Sequence, residues 1–139
     1  MFSTDPLAFA QSWLDAWNSH DIDAVLAHFS DDATFSSPVA RELLGESGGV
    51  LHGKAAIRGY WEEGLRRIPD LRFELVDVYA GVDVIVINFR NQRGGLVCEV
   101  LVFENDHRSD RHRALVVSGH GTYRETGDSV DNPAGTTRA

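Results

Sequence analysis

The sequence predicts an α+β domain in which three N-terminal helices pack on one face of a curved, mostly antiparallel sheet. Three observations lead there. Apolar residues recur at three- and four-residue spacing up to Ile68, whereas from Leu71 to Tyr123 the chain turns to runs of Val, Ile, Leu and Phe, so helices and strands are segregated along it. Arg93-Gly94-Gly95 separates Val82–Gln92 from Gly95–Glu104, a place where a reversal needs positive φ, which reads as a β-hairpin. In Leu96–Phe103 alternate positions are equally apolar, so both faces of that strand are covered.

Thr4-Asp5-Pro6 is a helix start, a capping side chain followed by proline at the first helical position. Ala10, Trp13, Leu14 and Trp17 then form one stripe up to Asn18-Ser19-His20. Asp21 caps a second, short helix with Ile22, Val25, Leu26 and Phe29 inward, ended by Ser30-Asp31-Asp32. Ala33–Ser37 is a short strand stopped by Pro38. From Val39 to Val50 the sequence predicts a loop whose Leu43-Leu44 pair either folds over something as a lid or packs on the core. Lys54–Ile68 is the third helix, with Ile57, Tyr60, Trp61, Leu65 and Ile68 on one face and Pro69 as its stop. Strands follow at Leu71–Ala80, Val82–Gln92, Gly95–Glu104 and about Arg113–Arg124, with turns at Gly81 and Asn105–Arg111. Residues 1–124 make one domain, and 125–139 are small and polar, a composition that predicts a disordered tail.

Composition narrows the function classes. The chain has 139 residues with 13 Lys and Arg against 21 Asp and Glu, a formal charge of −8, which opposes binding to nucleic acid or to anionic membranes. Its one cysteine, Cys98, falls in a central strand and permits no intrachain disulfide. No run approaches the roughly 18 apolar residues of a membrane span, and Asp5-Pro6 stands where a signal peptide wants basic and then apolar residues. A soluble, cytoplasmic protein is expected. The six histidines show no metal-ligand spacing, so neither metal nor cofactor is expected.

If Ala80 pairs with Asp83 and Gln92 with Gly95, then Phe73, Leu75, Asp77, Tyr79, Val84, Val86, Asn88, Val97, Glu99, Leu101 and Phe103 share one face, with Asn88 opposite Glu99. Glu99 is a lone carboxylate in an apolar run. In an apolar pocket it would be an acid of raised pKa; tied to Asn88 or Arg90 it would be structural. Asp77 and His120 are the candidate bases, each with a solvent-facing alternative. Trp13, Trp17, Phe35 and Tyr60 are core aromatics, some of which would line a cavity for a flat apolar ligand. Ile85, Ile87, Cys98, Val100 and Val102 would form the opposite face, most simply buried by a second copy of the chain as a homodimer.

The segments Trp13–Phe35, Gly53–Tyr60, Pro69–Leu75 and Glu99–Asn105 together resemble the nuclear-transport-factor-2-like superfamily, which includes ketosteroid isomerases and SnoaL-like polyketide cyclases. The resemblance implies a cone-shaped, cystatin-like roll with a pocket between helices and sheet, usually dimeric. It puts Ser37 where the isomerases carry their base, Trp13 where they carry an oxyanion-binding tyrosine, and Glu99 where they carry a protonated aspartic acid. Serine without a helper is no base, and an indole N–H is a weaker donor than a phenol, so these residues do not support ketosteroid isomerisation by that route. The expectation is metal-free acid/base chemistry of an isomerase, cyclase or hydrolase type on a small apolar steroid-, terpene- or polyketide-like molecule, with Glu99 as acid and Asp77 or His120 as base. The alternative is a non-catalytic dimeric binding module.

Overall fold

The computed structural model describes residues 5–104 and 115–125. The expectations for Thr4, the Asn105–Arg111 turn and the tail beyond Glu125 lie outside them. Helix α1 (Pro6–Asn18) begins as its sequence dictates, with the Asp5 carboxylate accepting from Ala8 N at 3.0 Å and Pro6 in the first turn. Asp21 likewise caps α2 (Ile22–Leu26) through Ala24 N. Phe29 and Ser30-Asp31-Asp32, expected to close that helix, instead open strand β1 (Phe29–Ser36), where Phe29 pairs with Val116. Pairing with a distant strand overrides the local helical spacing of Phe29.

Pro38 does more than stop a strand. Ser37-Pro38 repeats the Asp5-Pro6 arrangement and starts a helix, α3 (Pro38–Leu43), in the segment expected to be a loop; Val39 N donates to Ser37 Oγ at 3.1 Å. A 3-10 turn (Gly45–Ser47) leads to a short strand, β2 (Val50–His52), which pairs antiparallel with β1. Gly53, at φ 90°, turns the chain into α4 (Lys54–Arg67). The remaining strands are β3 (Glu74–Gly81), β4 (Val84–Arg90), β5 (Leu96–Phe103) and β6 (Val116–Tyr123). They form one six-stranded sheet in the order β2-β1-β6-β5-β4-β3, parallel only between β1 and β6. The α+β class read from the sequence is the one observed.

α1 packs on β3 and α4 on β1, which encloses the core against one sheet face. Asn18 at the end of α1 fastens the lead into β3 by reading the Phe73 backbone both ways: its amide donates to Phe73 O at 3.0 Å and its carbonyl accepts from Phe73 N at 2.7 Å. No helix among the described residues is long and apolar enough to cross a membrane.

The sheet register differs from the expected one, and for an identifiable reason. Gln92 does not pair with Gly95. Asn91 does, through Asn91 N to Gly95 O at 2.9 Å, and encloses a three-residue loop, Gln92-Arg93-Gly94, with Gly94 at φ 82°. The Asn91 side-chain oxygen accepts from Arg93 N and Gly95 N, both at 2.9 Å. That one-residue change moves every β4 side chain to the other face relative to β5: Glu99 pairs with Ile87, and Asn88 with Cys98. Ile85 and Ile87, expected outside, are fully buried in the core, whereas Val84, Val86 and Asn88 face outward with Cys98, Val100 and Val102. A bulge between Leu75 and Asp77 then splits β3, so Phe73 and Leu75 turn inward while Asp77 and Tyr79 point out.

Replacing Asn91 with Ala removes the acceptor of two loop N–H groups and should lower stability by about 1–2 kcal/mol. Urea unfolding checks it. An unchanged midpoint would show that this side chain does not hold the register.

Candidate functional site

β5 presents Val97, Glu99 and Leu101 to the helices, opposite Phe89, Ile87 and Ile85 on one side and Tyr123, Gly121 and Gly119 on the other. The glycines on β6 leave room there. A Cβ at Gly119 would stand 3.1 Å from Phe35, and one at Gly121 would stand 3.6 Å from the Tyr123 hydroxyl and 3.7 Å from Glu99 Oε1. Beside Glu99 lies a cavity of about 80 Å³ between sheet, α1, α3 and α4, and half of its lining residues are aromatic. Glu99 is 7 % exposed and lines it. Among the described residues, no hydrogen bond or ion pair reaches its carboxyl, and burial alone pushes its pKa up to about 8. The group is therefore mostly a neutral acid at pH 7.

Three hydroxyls stand nearby. Tyr60 on α4 donates to Ser37 Oγ, and Ser37 Oγ meets the Tyr123 hydroxyl, both at a loose 3.4 Å. Ser37 Oγ also accepts the Val39 N–H, so its two acceptor positions are filled and its own proton goes to Tyr123. Tyr123 thus keeps its O–H free to donate. Burial, the charge of Glu99 and the neighbouring phenol push Tyr123 well above the usual phenol range, and burial with the Glu99 charge pushes Tyr60 up to about 12. Both stay neutral donors. Glu99, Tyr60 and Tyr123 are the ionisable side chains in the lining; at pH 7 all three are mostly neutral, and the Tyr60 proton is directed at Ser37.

Of the residues singled out by sequence, Trp13, Trp17, Phe35, Tyr60 and Glu99 come together around the cavity. Leu101 and Phe103 share the Glu99 face but are buried in the core, Phe103 against Phe9 with ring centroids 5.2 Å apart. Three expectations are corrected. Asn88 lies across the sheet, paired with Cys98, because of the Asn91 turn. Asp77 faces solvent below the β3 bulge. His120 pairs with Val100 on the outer face, where its Nδ1 lies 2.7 Å from Ser36 Oγ. Neither candidate base can reach a ligand beside Glu99. Sequence reasoning missed Tyr123; its signal was Gly119 and Gly121, alternate small residues on the same strand face that mark space beneath a bulky neighbour. Phe73 and Phe89 also line the cavity, their rings tilted at 34° with centroids 4.2 Å apart. Trp13 and Trp17 Nε1 have no acceptor among the described residues, though each ring meets aromatic neighbours edge-on or tilted, Trp17 with Trp61 at 5.0 Å. No three His, Cys, Asp or Glu side chains converge as metal ligands among the described residues.

The family model of the SnoaL-like domain matches residues 10–137. The crystal structure of a SnoaL-like protein of unknown function from Burkholderia thailandensis superposes with a TM-score of 0.75 at 41% identity, over 86% of this chain and 95% of that one. Two more distant structures share the fold. One is a candidate polyketide cyclase from Sinorhizobium meliloti, at 13% identity and TM-score 0.65 over 88% of this chain and 100% of that one. The other is AclR, a candidate hydroxylase from Streptomyces galilaeus, at 19% identity and TM-score 0.60 over 86% and 88%. No curated protein was found that matches the chain. With most of its length matched by that family model and its sheet and helices shared with solved members, the chain belongs to the SnoaL-like family of nuclear-transport-factor-2-like folds.

Proposed function

We propose that the protein is an acid catalyst for a small apolar molecule bearing an acceptor oxygen, with Glu99 as its proton donor. The observation behind this reading is the carboxyl of Glu99, buried without a partner at the wall of an aromatic cavity. A carboxylic acid with a pKa near 8 can give its proton to a carbonyl or alkoxide oxygen at neutral pH. Tyr123 adds a second hydrogen bond to that oxygen. Asp77 and His120 being on the outer face, the carboxylate left after donation is the base within reach, and it recovers a proton from carbon. Protonation at oxygen and deprotonation at carbon by one group is an isomerisation or enolisation, the step that also opens cyclisation and dehydration. The structure described as a polyketide cyclase candidate fits this class of chemistry.

The second reading, a binding module without turnover, draws on the cavity's 80 Å³, well under the few hundred that a steroid- or polyketide-sized ligand fills. A thermal-shift panel of steroid-, terpene- and polyketide-like ketones, followed by turnover assays on the hits, separates the two. Glu99→Gln keeps the shape and should bind a hit within about threefold while turnover falls at least 10²-fold. Undiminished turnover in Glu99→Gln removes the catalytic reading, and binding with no turnover in either protein supports the module.

The raised acidity constant also fixes how stability varies with pH. Glu99's folded-state pKa of about 8 lies above its unfolded value, so the native state holds the proton more tightly. The contribution of this group to stability is then greatest below about pH 4.5, falls as pH rises toward 8, and levels off above. Between pH 5.5 and 8.5 the loss from this group is about 3 kcal/mol. Urea midpoints should fall across that range in the native protein and fall much less in Glu99→Gln; parallel curves would mean an unperturbed carboxyl.

For the outer face, where Val84, Val86, Val100 and Val102 lie half-buried, we keep a second copy of the chain as the proposed cover. Sedimentation equilibrium should give twice the chain mass, and a monomer at 0.1 mM (about 1.5 mg/mL at 15.4 kDa) ends the proposal.

A further inference from the structure

The carboxyl of Glu99 has the surroundings of one half of an ion pair. Its neighbours on β4 and β6 are Ile87 and Gly121, and the described residues lining the cavity include no Lys, Arg or His. A carboxylate taken out of water is ordinarily matched by a cation, because an unpaired charge in such surroundings is far less stable than a paired one. A cation supplied by a ligand would serve as well as one supplied by the chain.

The lining selects the kind of cation. A hard divalent metal ion takes about six oxygen ligands, and among the described lining residues there is one carboxyl. Half of the lining residues are aromatic, Trp13, Trp17 and Trp61 among them, and the face of such a ring attracts an organic ammonium within about 6 Å. Each N–H of an ammonium needs an acceptor, and the charged acceptors here are the two oxygens of one carboxylate. Methyl groups in place of further N–H groups lie against the rings without that need. Volume sets the size. An apolar cavity of about 150 Å³ takes a benzene ring, so one of about 80 Å³ takes roughly half as many heavy atoms, the size of dimethylammonium. The chain's formal charge of −8 raises the concentration of cations around it.

We propose that this cavity binds a small alkylated ammonium ion, paired with the Glu99 carboxylate and enclosed by the aromatic rings around it. On binding, Glu99 gives its proton to solvent and the ammonium keeps its own, so one proton leaves for each cation taken up. With the cation in place Glu99 has no proton to give a carbonyl oxygen, and the cation inhibits the acid chemistry proposed above. The inference does not rest on that chemistry. It needs the unpaired carboxyl and its aromatic walls, and it uses the ionised form of Glu99 where acid catalysis uses the protonated one.

All three tryptophans of the chain line this cavity, so their indole N–H resonances report its occupation in the intact protein. The test is a titration with dimethylammonium chloride at constant ionic strength. For a fragment of this size a dissociation constant on the order of 10 mM is expected at pH 8. Glu99 is mostly protonated at pH 6.5 and must release that proton, so affinity should rise at least tenfold from pH 6.5 to pH 9. Glu99→Gln should weaken binding at least tenfold at pH 9. Absence of a saturable shift at about 100 mM, an affinity independent of pH, or equal affinity in Glu99→Gln overturns the proposal. Should Glu99→Gln fold poorly, the pH dependence of the native protein alone decides. Acetone, a neutral acceptor of similar size, pairs with the protonated acid and should bind more weakly over the same rise in pH. Acetone binding without ammonium binding overturns the cation and spares the acid reading; ammonium binding without acetone binding supports the cation and counts against the acid reading.

Discussion

A single carboxyl group held without a partner inside aromatic walls is the constraint around which this fold is arranged. Ionised, Glu99 would cost on the order of 5 kcal/mol at high pH relative to the unfolded chain, a large share of the 5–15 kcal/mol by which domains of this kind are stable. Keeping the proton on holds that cost to about 3 kcal/mol at pH 7. What would elsewhere be a salt bridge or a cluster of backbone donors is here a cavity walled by aromatic and aliphatic side chains. Strands β4, β5 and β6 supply an apolar frame of Ile85, Ile87, Phe89, Val97, Leu101 and Val116, so the acid is surrounded by side chains that offer it no hydrogen bond.

How far the sequence discloses this depends on the length scale of each signal. Helix α1, helix α4 and the existence of the β4–β5 hairpin follow from local spacing, caps and breakers, and all three are observed. Glu99 is legible too, because a charge amid Val, Leu and Phe conflicts with its neighbours wherever the strand lies. The faces of β4 and most of β3 are not legible, because a side chain's face is a parity. One residue more in the Asn91–Gly95 loop, or one bulge after Leu75, inverts it without altering any composition. Asn88, Asp77, Ile85 and Ile87 were misplaced for that reason. His120 depended on a loop whose length leaves register open. Helix α3 was missed although Ser37-Pro38 repeats the very start signal of α1, since proline after a strand also reads as a terminator.

With both carboxylate and imidazole candidates on the outer face, the proposed chemistry has to work with one titrating group. That restricts it. A lone acid can move a proton between two atoms of the same ligand, but it cannot activate water on one side while protonating a leaving group on the other, as paired carboxylates do. Among the reaction classes open to this family, the arrangement favours proton relocation over hydrolysis. The unpaired proton of Tyr123, directed by Ser37 being fully occupied as an acceptor, gives the reacting oxygen a second donor that does not ionise.

The departures from the isomerase pattern then read as one coordinated change. Trp13 stands where that pattern has a donating tyrosine, and its indole nitrogen is occluded among rings, so α1 contributes surface and no hydrogen bond. Ser37 stands where the pattern has a base, and its hydroxyl is consumed by Val39, Tyr60 and Tyr123. The phenol donor is supplied instead from β6, on the strand next to Glu99, where Gly121 keeps the space between the two oxygens open. Donor and acid thus sit on adjacent strands of one sheet, joined by backbone hydrogen bonds, and their spacing is set by strand geometry independently of how α1 packs. A change in how the helices pack then leaves the spacing of the two groups that would act on a ligand undisturbed.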